Sequence, residues 1–229
     1  MKSLFFDSGP LMSLTMNNLL GILQPLKEKF GGEFYITPAV RKELVERPLE
    51  IKRFEFEALQ ILKLLREGTL KLYEKPLKGV IDLSTYANKS IIAKDKGCCM
   101  EIIHGGELET VAASLQEGND TVAIDERTIR LLMENSEELK SLIEARLHEK
   151  VILDKKMANQ FQSLIKGMKV IRSAELVGMA YQFGILDNYL PPLKSGREIL
   201  LDSVLWGLKL KGCAIIGEEI EELKRVLLK

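Results

Sequence analysis

The sequence predicts an α/β fold of three layers, a central and mainly parallel sheet covered by helices on both faces, with a helical C-terminal extension. Three observations lead there. Short apolar runs alternate with stretches of helical periodicity through the first 135 residues. Most hand-overs carry a capping residue, a proline or a glycine. The 229 residues, 46% of them apolar and 29% charged, suffice for one buried core or a core with an appendage, and they exclude disordered, collagen-like and disulfide-scaffold classes.

Lys2 to Phe6 reads as a strand that stops at Asp7-Ser8-Gly9-Pro10, with Pro10 suited to a first helical turn. Leu11, Leu14, Leu19, Leu20 and Leu23 then recur at helical spacing up to Gly31-Gly32. Glu33 to Ile36 is a second strand, and Thr37-Pro38 caps the helix PAVRKELVE. Phe54, Ala58, Ile61, Leu62 and Leu65 share one face of a helix over 51–67, which Gly68 ends before the strand TLKLY. A helix is expected around Leu83 to Ala93 and a strand over CMEII, followed by Gly105-Gly106 and the helix ELETVAASLQ. Thr121 to Ile124 is a strand ending at Asp125, and a helix follows through Leu131, Leu132 and Met133. Beyond Asn135 the chain reads as mostly helical, with a short strand VIRS and helices near 174–183, 197–211 and 217–228. Residues 1–150 are thus the core and 151–229 a helical part packed on it, in one continuous domain without a Pro/Gly/Ser linker. Trp206 and Phe183 are expected in the core.

Positive and negative residues number 33 each, so bulk charge favours neither nucleic acid nor membrane as a partner. Local counts differ: residues 97–149 hold 12 acids against 4 bases, while 52–96 and 150–229 are mildly basic. Three cysteines, Cys98, Cys99 and Cys213, show no zinc-site spacing and point to a reducing, cytoplasmic setting. No stretch approaches the ~20 apolar residues of a membrane helix.

In a parallel sheet ligands gather beyond the carboxyl ends of the strands. Asp7 and Asp125 each directly follow a strand, Glu107 opens a helix after a glycine pair, and Glu43 lies early in the helix after Glu33 to Ile36. Carboxylates drawn together raise one another's pKa and stay ionised only beside a cation. Oxygen-only ligation selects a hard ion, Mg²⁺ or Mn²⁺. Phosphodiester hydrolysis suits such a site. Each acid also has an ordinary reading: Asp7 in an Asx turn, Glu107 at a helix dipole, Glu43 on a solvated face, Asp125 as a cap. His104 reads as a structural residue or a base.

The blocks FFDSGPLMSL, FYITPAVRKEL, IIHGGELETVAASL and AIDERTIRLL, in that order and spacing, resemble the PIN-domain family of archaeal and bacterial proteins. VIRSAELVGMAYQFGIL and LLDSVLWGLKLKGCAI are similar to its C-terminal helical blocks, so most of the chain is covered. Gly9 departs from the Ser or Thr common there.

The resemblance implies a metal-dependent endoribonuclease acting on RNA, of toxin or RNA-processing type. Asp7, Glu43, Glu107 and Asp125 would be the catalytic and metal-binding acids. Ser8 would orient a water or phosphate oxygen, and Glu109 and Glu126 would lie behind the ligands, with Asp125 and Glu126 interchangeable as candidates. Arg127 and Arg130 are candidate phosphate contacts, as are Lys89, Lys94 and Lys96. Asp202 is read as an ordinary helix residue. A protein antitoxin or regulatory partner and self-association as a homodimer also follow from the resemblance. The competing reading is a PIN-like module that binds RNA or protein without catalysis; a phosphatase with Asp7 as nucleophile is a third.

Overall fold

The computed structural model describes residues 2–229, and its architecture is a three-layer α/β/α fold around a wholly parallel five-stranded sheet. Strand β1 (Ser3–Phe6) is central. It is followed by α1 (Ser8–Met16), a 3₁₀ turn at Leu20–Ile22, α2 (Leu23–Phe30) and β2 (Glu33–Ile36). Next come α3 (Pro38–Arg41), a π-helical turn at Lys42–Glu46, α4 (Arg47–Leu49), α5 (Glu55–Arg66) and β3 (Lys71–Leu72). The middle of the chain forms α6 (Val80–Lys89), β4 (Ile91–Ala93), β5 (Cys98–Cys99), α7 (Gly105–Gln116) and β6 (Thr121–Ala123). Then follow α8 (Arg127–Glu134), α9 (Ser136–Leu147), β7 (Val151–Leu153), α10 (Lys155–Leu164) and β8 (Lys169–Ile171). The chain closes with α11 (Ser173–Gln182), α12 (Gly196–Leu210) and α13 (Gly217–Leu227).

The central order is β3-β2-β1-β6-β8. Successive side chains of a strand face opposite ways, and this divides the core in two. Leu4, Phe6 and Ala123 join a cluster with α1, α2, α5, α11 and α12. Val122 and Ile124 join a second cluster with α6 to α10. Phe5, stacked 5.3 Å from Tyr35 and edge-on 5.1 Å from Tyr73, fills the space beside β2.

Several elements differ from the sequence expectation for physical reasons. The leucine run after Pro10 is two helices, because Asn18 turns left-handed at φ 57°. The helix expected over Leu83 to Ala93 stops at Lys89, and the β-branched pair Ile91-Ile92 forms a strand. Only Cys98–Cys99, at the start of the CMEII region, is extended in a sheet. It pairs antiparallel with β4 in a separate sheet, β5-β4-β7, outside the parallel one. The remainder is held by one side chain: Asn88 Oδ1 accepts the Ile102 and Ile103 N–H groups at 2.9 and 3.0 Å, and its amide donates to the Ile103 carbonyl at 3.2 Å.

Residues 151–229 contribute the strands β7 and β8 as well as helices, and β8 forms one edge of the central sheet. Phe161 and Leu201 from this segment are fully buried. Phe183 and Trp206 are not core residues: they are 52% and 36% exposed. No helix among the described residues is long and apolar enough to cross a membrane.

Since Phe161 is fully buried in the second cluster, on a helix α10 that packs against α6 and α8, Phe161→Ala should cost about 3–5 kcal/mol in a urea titration read by far-UV circular dichroism.

Candidate functional site

The register of β1 against β2 and β6 ends those strands level, Phe6 beside Ile36 and Ala123. Chain leaving each strand therefore emerges at one rim. Asp7 extends the pairing by one hydrogen bond, donating its N–H to the Ala123 carbonyl at 2.9 Å. Its side chain then caps α1, with Oδ2 accepting the Gly9 N–H at 3.2 Å. Asp7 is only 4% exposed.

Glu43 reaches the same place from the π turn. Pro48 lacks a donor for the Leu44 carbonyl and its ring would press on that group in a regular helix, and the widened turn lies immediately before it. Thr37 starts this helix, its hydroxyl accepting the Val40 N–H at 3.4 Å. Glu107 arrives at the start of α7, where its Oε2 accepts the His104 N–H at 2.7 Å, the return half of a capping box.

Gly106 is the point on which two of these carboxylates close. A Cβ there would lie 3.0 Å from Glu43 Oε1 and 3.3 Å from Asp7 Oδ1, so a side chain at this position would press the carboxylates aside. Gly9 is equally confined: a Cβ would lie 3.1 Å from Asp125 Cβ, so glycine here lets α1 sit against the end of β6.

Asp7, Glu43 and Glu107 line one pocket of about 630 Å³ together with Ser8, Ala39, Lys42, Arg47, His104 and Gly105. Burial pushes the Asp7 carboxyl up to about 6, with Glu43 and Asp125 adding to the rise. Burial likewise pushes Glu107 up to about 8, reinforced by Asp7, Glu126 and Glu43. Oxygen donors alone suit a hard divalent cation, whose charge would offset the burial that opposes ionisation of Asp7 and Glu107, so the donor chemistry of these three fits Mg²⁺ or Mn²⁺. Among the described residues, no group of three or more His, Cys, Asp or Glu side chains has the placement to hold an ion as it stands.

The structure does not bring Asp125 into this pocket's lining. Its Oδ1 accepts the Ser173 N–H at 2.7 Å, and its Oδ2 accepts the Ser13 and Ser173 hydroxyls at 2.6 and 2.7 Å. It ties β6 to α1 and α11. Glu126 is also spoken for: it caps α8 by accepting the Arg127 and Thr128 N–H groups, and it lies 3.9 Å from Arg146. Glu109 accepts the Ala39 N–H at 2.9 Å, fastening α7 to the start of the helix that carries Glu43.

Arg127 pairs with Glu138 at 2.9 Å and Arg130 with Glu219 at 3.3 Å. Arg172, 7% exposed, shares Glu219 and forks onto Glu175. Lys89, Lys94 and Lys96 are exposed around β4 and line no part of the acid pocket. Asp202 pairs with Lys224 at 2.7 Å on the surface of α12. Sequence reasoning missed Lys42 and Arg47, although their positions flanking Glu43 were the available signal. A cavity of about 670 Å³ between α5 and the 3₁₀ turn gathers no comparable acids.

Comparison with protein-family models, curated proteins and solved structures found no match to this chain.

Two stability outcomes follow from the distribution of charge. Asp7 and Glu107 hold protons more tightly folded than unfolded, so their stabilising contribution is complete below pH ~4 and is lost as pH rises through about 6 and about 8. In metal-free buffer Asp7→Asn, which keeps the cap, should raise the thermal midpoint at pH 8 by about 4 °C or more and flatten its decline between pH 5 and 8. Asp125→Asn should act oppositely, losing about 1.5–3 kcal/mol in chemical denaturation, because its donors lose a charged acceptor.

Proposed function

We propose that this protein is a cytoplasmic, metal-dependent endoribonuclease of PIN-like type, hydrolysing RNA phosphodiester bonds at the pocket built by Asp7, Glu43 and Glu107. The observation that carries the reading is the meeting of three carboxyl groups from separate chain segments in one pocket at the carboxyl rim of a parallel sheet. The ordered family-like blocks in the sequence support it, as does the burial that disfavours ionised Asp7 and Glu107 without a cation. The three cysteines remain free thiols, in keeping with a reducing compartment.

A bound Mg²⁺ or Mn²⁺ would supply a water of lowered pKa and neutralise charge on the phosphate. The chain's own contribution is positional. Asp7 is fixed by β1 and its cap on α1, Glu43 by the π turn, and Glu107 by the capping box. Ser8 offers a hydroxyl at the same wall, within the first turn of α1. Asp125, whose oxygens already accept three hydrogen bonds, is assigned here to holding the rim together. An antitoxin-like or regulatory protein and a homodimer remain proposals that rest on the resemblance alone.

One observation favours a second reading, an RNA- or protein-binding module without catalysis: no three acids are gathered closely enough for an ion in this conformation. A single series separates the two. With a panel of single-stranded and structured RNAs and Mn²⁺, the native chain should cleave, chelation should abolish cleavage, and Asp7→Asn, Glu43→Gln and Glu107→Gln should each lower kcat on the order of 100-fold. Mn²⁺ should also raise the thermal midpoint of the native chain at pH 8 and leave that of Asp7→Asn nearly unmoved. Cleavage indifferent to all three substitutions would end the ribonuclease reading in favour of the module.

A further inference from the structure

The π turn has a geometric effect on the two cations that flank Glu43. Its closing hydrogen bond runs from the Arg47 N–H to the Lys42 carbonyl, five residues back. Residues joined in this way stand one above the other on a single side of the helix, as residues three or four apart do in an α-helix. Lys42 and Arg47, which a regular helix would splay apart, both line the acid pocket.

Both are exposed, and neither has an ion pair or a side-chain hydrogen bond to another described residue. This sets them apart from Arg127, Arg130 and Arg172, whose guanidinium groups are taken up by Glu138, Glu219 and Glu175. The acids lie deeper: Asp7 and Glu107 are buried, while the cations stand at the mouth.

We infer that Lys42 and Arg47 form a clamp for the backbone of a single-stranded RNA, holding phosphates next to the one presented to Asp7, Glu43 and Glu107. The inference rests on the ribonuclease reading and specifies how its substrate is gripped. A lone small anion would need one cation. Two adjacent cations above a floor of acids match a chain of phosphates in which one group goes inward and its neighbours remain at the mouth. A pocket that recedes to buried acids admits one strand, whereas a rigid duplex would keep its phosphates outside.

Binding of a fluorescently labelled single-stranded RNA oligomer to the full chain, read by anisotropy in chelator so that no cleavage intervenes, tests the clamp apart from catalysis. Lys42→Gln and Arg47→Gln should each weaken binding by about threefold to tenfold at low salt. Each should also reduce the slope of log Kd against log salt by about 0.7, the contribution of one phosphate contact on a single strand. Lys42→Arg should bind as the native chain does, and in Mn²⁺ the two glutamine variants should raise KM more than they lower kcat. Unaltered binding and slope in both glutamine variants would overturn the clamp while leaving the role of the acids standing. Weakened binding in the glutamine variants of a chain that, in its native form, cleaves no RNA in Mn²⁺ would uphold the clamp and sink the ribonuclease reading instead.

Discussion

Everything at the carboxyl rim depends on three parallel strands ending level. Because β1, β2 and β6 are in register at Phe6, Ile36 and Ala123, the residues that follow them are forced into one neighbourhood whatever their affinity for one another. For Asp7 that neighbourhood is unfavourable: it is a nearly buried carboxyl beside two further acids. Such an arrangement persists only because the cost is local and the rest of the fold is strong enough to bear it. Two apolar clusters, one on each face of the sheet, provide that strength.

The acids of the rim divide by how their oxygens are used. Asp125, Glu126 and Glu109 spend theirs on backbone N–H groups and hydroxyls, joining β6 to α1 and α11, starting α8, and fastening α7 to α3. Asp7, Glu43 and Glu107 keep oxygen valence directed at the pocket. The division explains why Asp125 is buried with its oxygens satisfied, while burial raises the proton affinity of Asp7 and Glu107. Charge of the opposite sign is divided too, between arginines locked in pairs near β8 and the two free cations on the π turn.

Much of this was legible in the sequence where a local rule sufficed. The strand-to-cap hand-overs at Asp7 and Thr37 and the periodicity of α5 and α7 place the parallel sheet and three of its acids. What was not legible depends on contacts between distant residues. Asp125 looks like Asp7 in sequence, each a carboxylate after an apolar strand, and only the arrival of Ser13 and Ser173 gives it a different environment. The same holds for Ile102 and Ile103, whose apolar character suggests a strand but whose N–H groups find Asn88. Lys42 and Arg47 escaped notice because a spacing of five has meaning only in a π turn, which periodicity of 3.6 does not anticipate.

The small antiparallel sheet β5-β4-β7 has two short borders, Cys98–Cys99 and Val151–Leu153, and at the second Glu144 of α9 already accepts the Val151 N–H at 3.1 Å. Unpaired strand borders invite chain-to-chain addition, yet these are two and three residues long, and charged neighbours stand at their ends: Lys96 and Glu101 around one, Lys150 and Asp154 around the other. A passing strand would gain few hydrogen bonds and would meet charge at each end. The protein can therefore carry an apolar, half-exposed Ile152 on its outer border without offering a template for fibrous association.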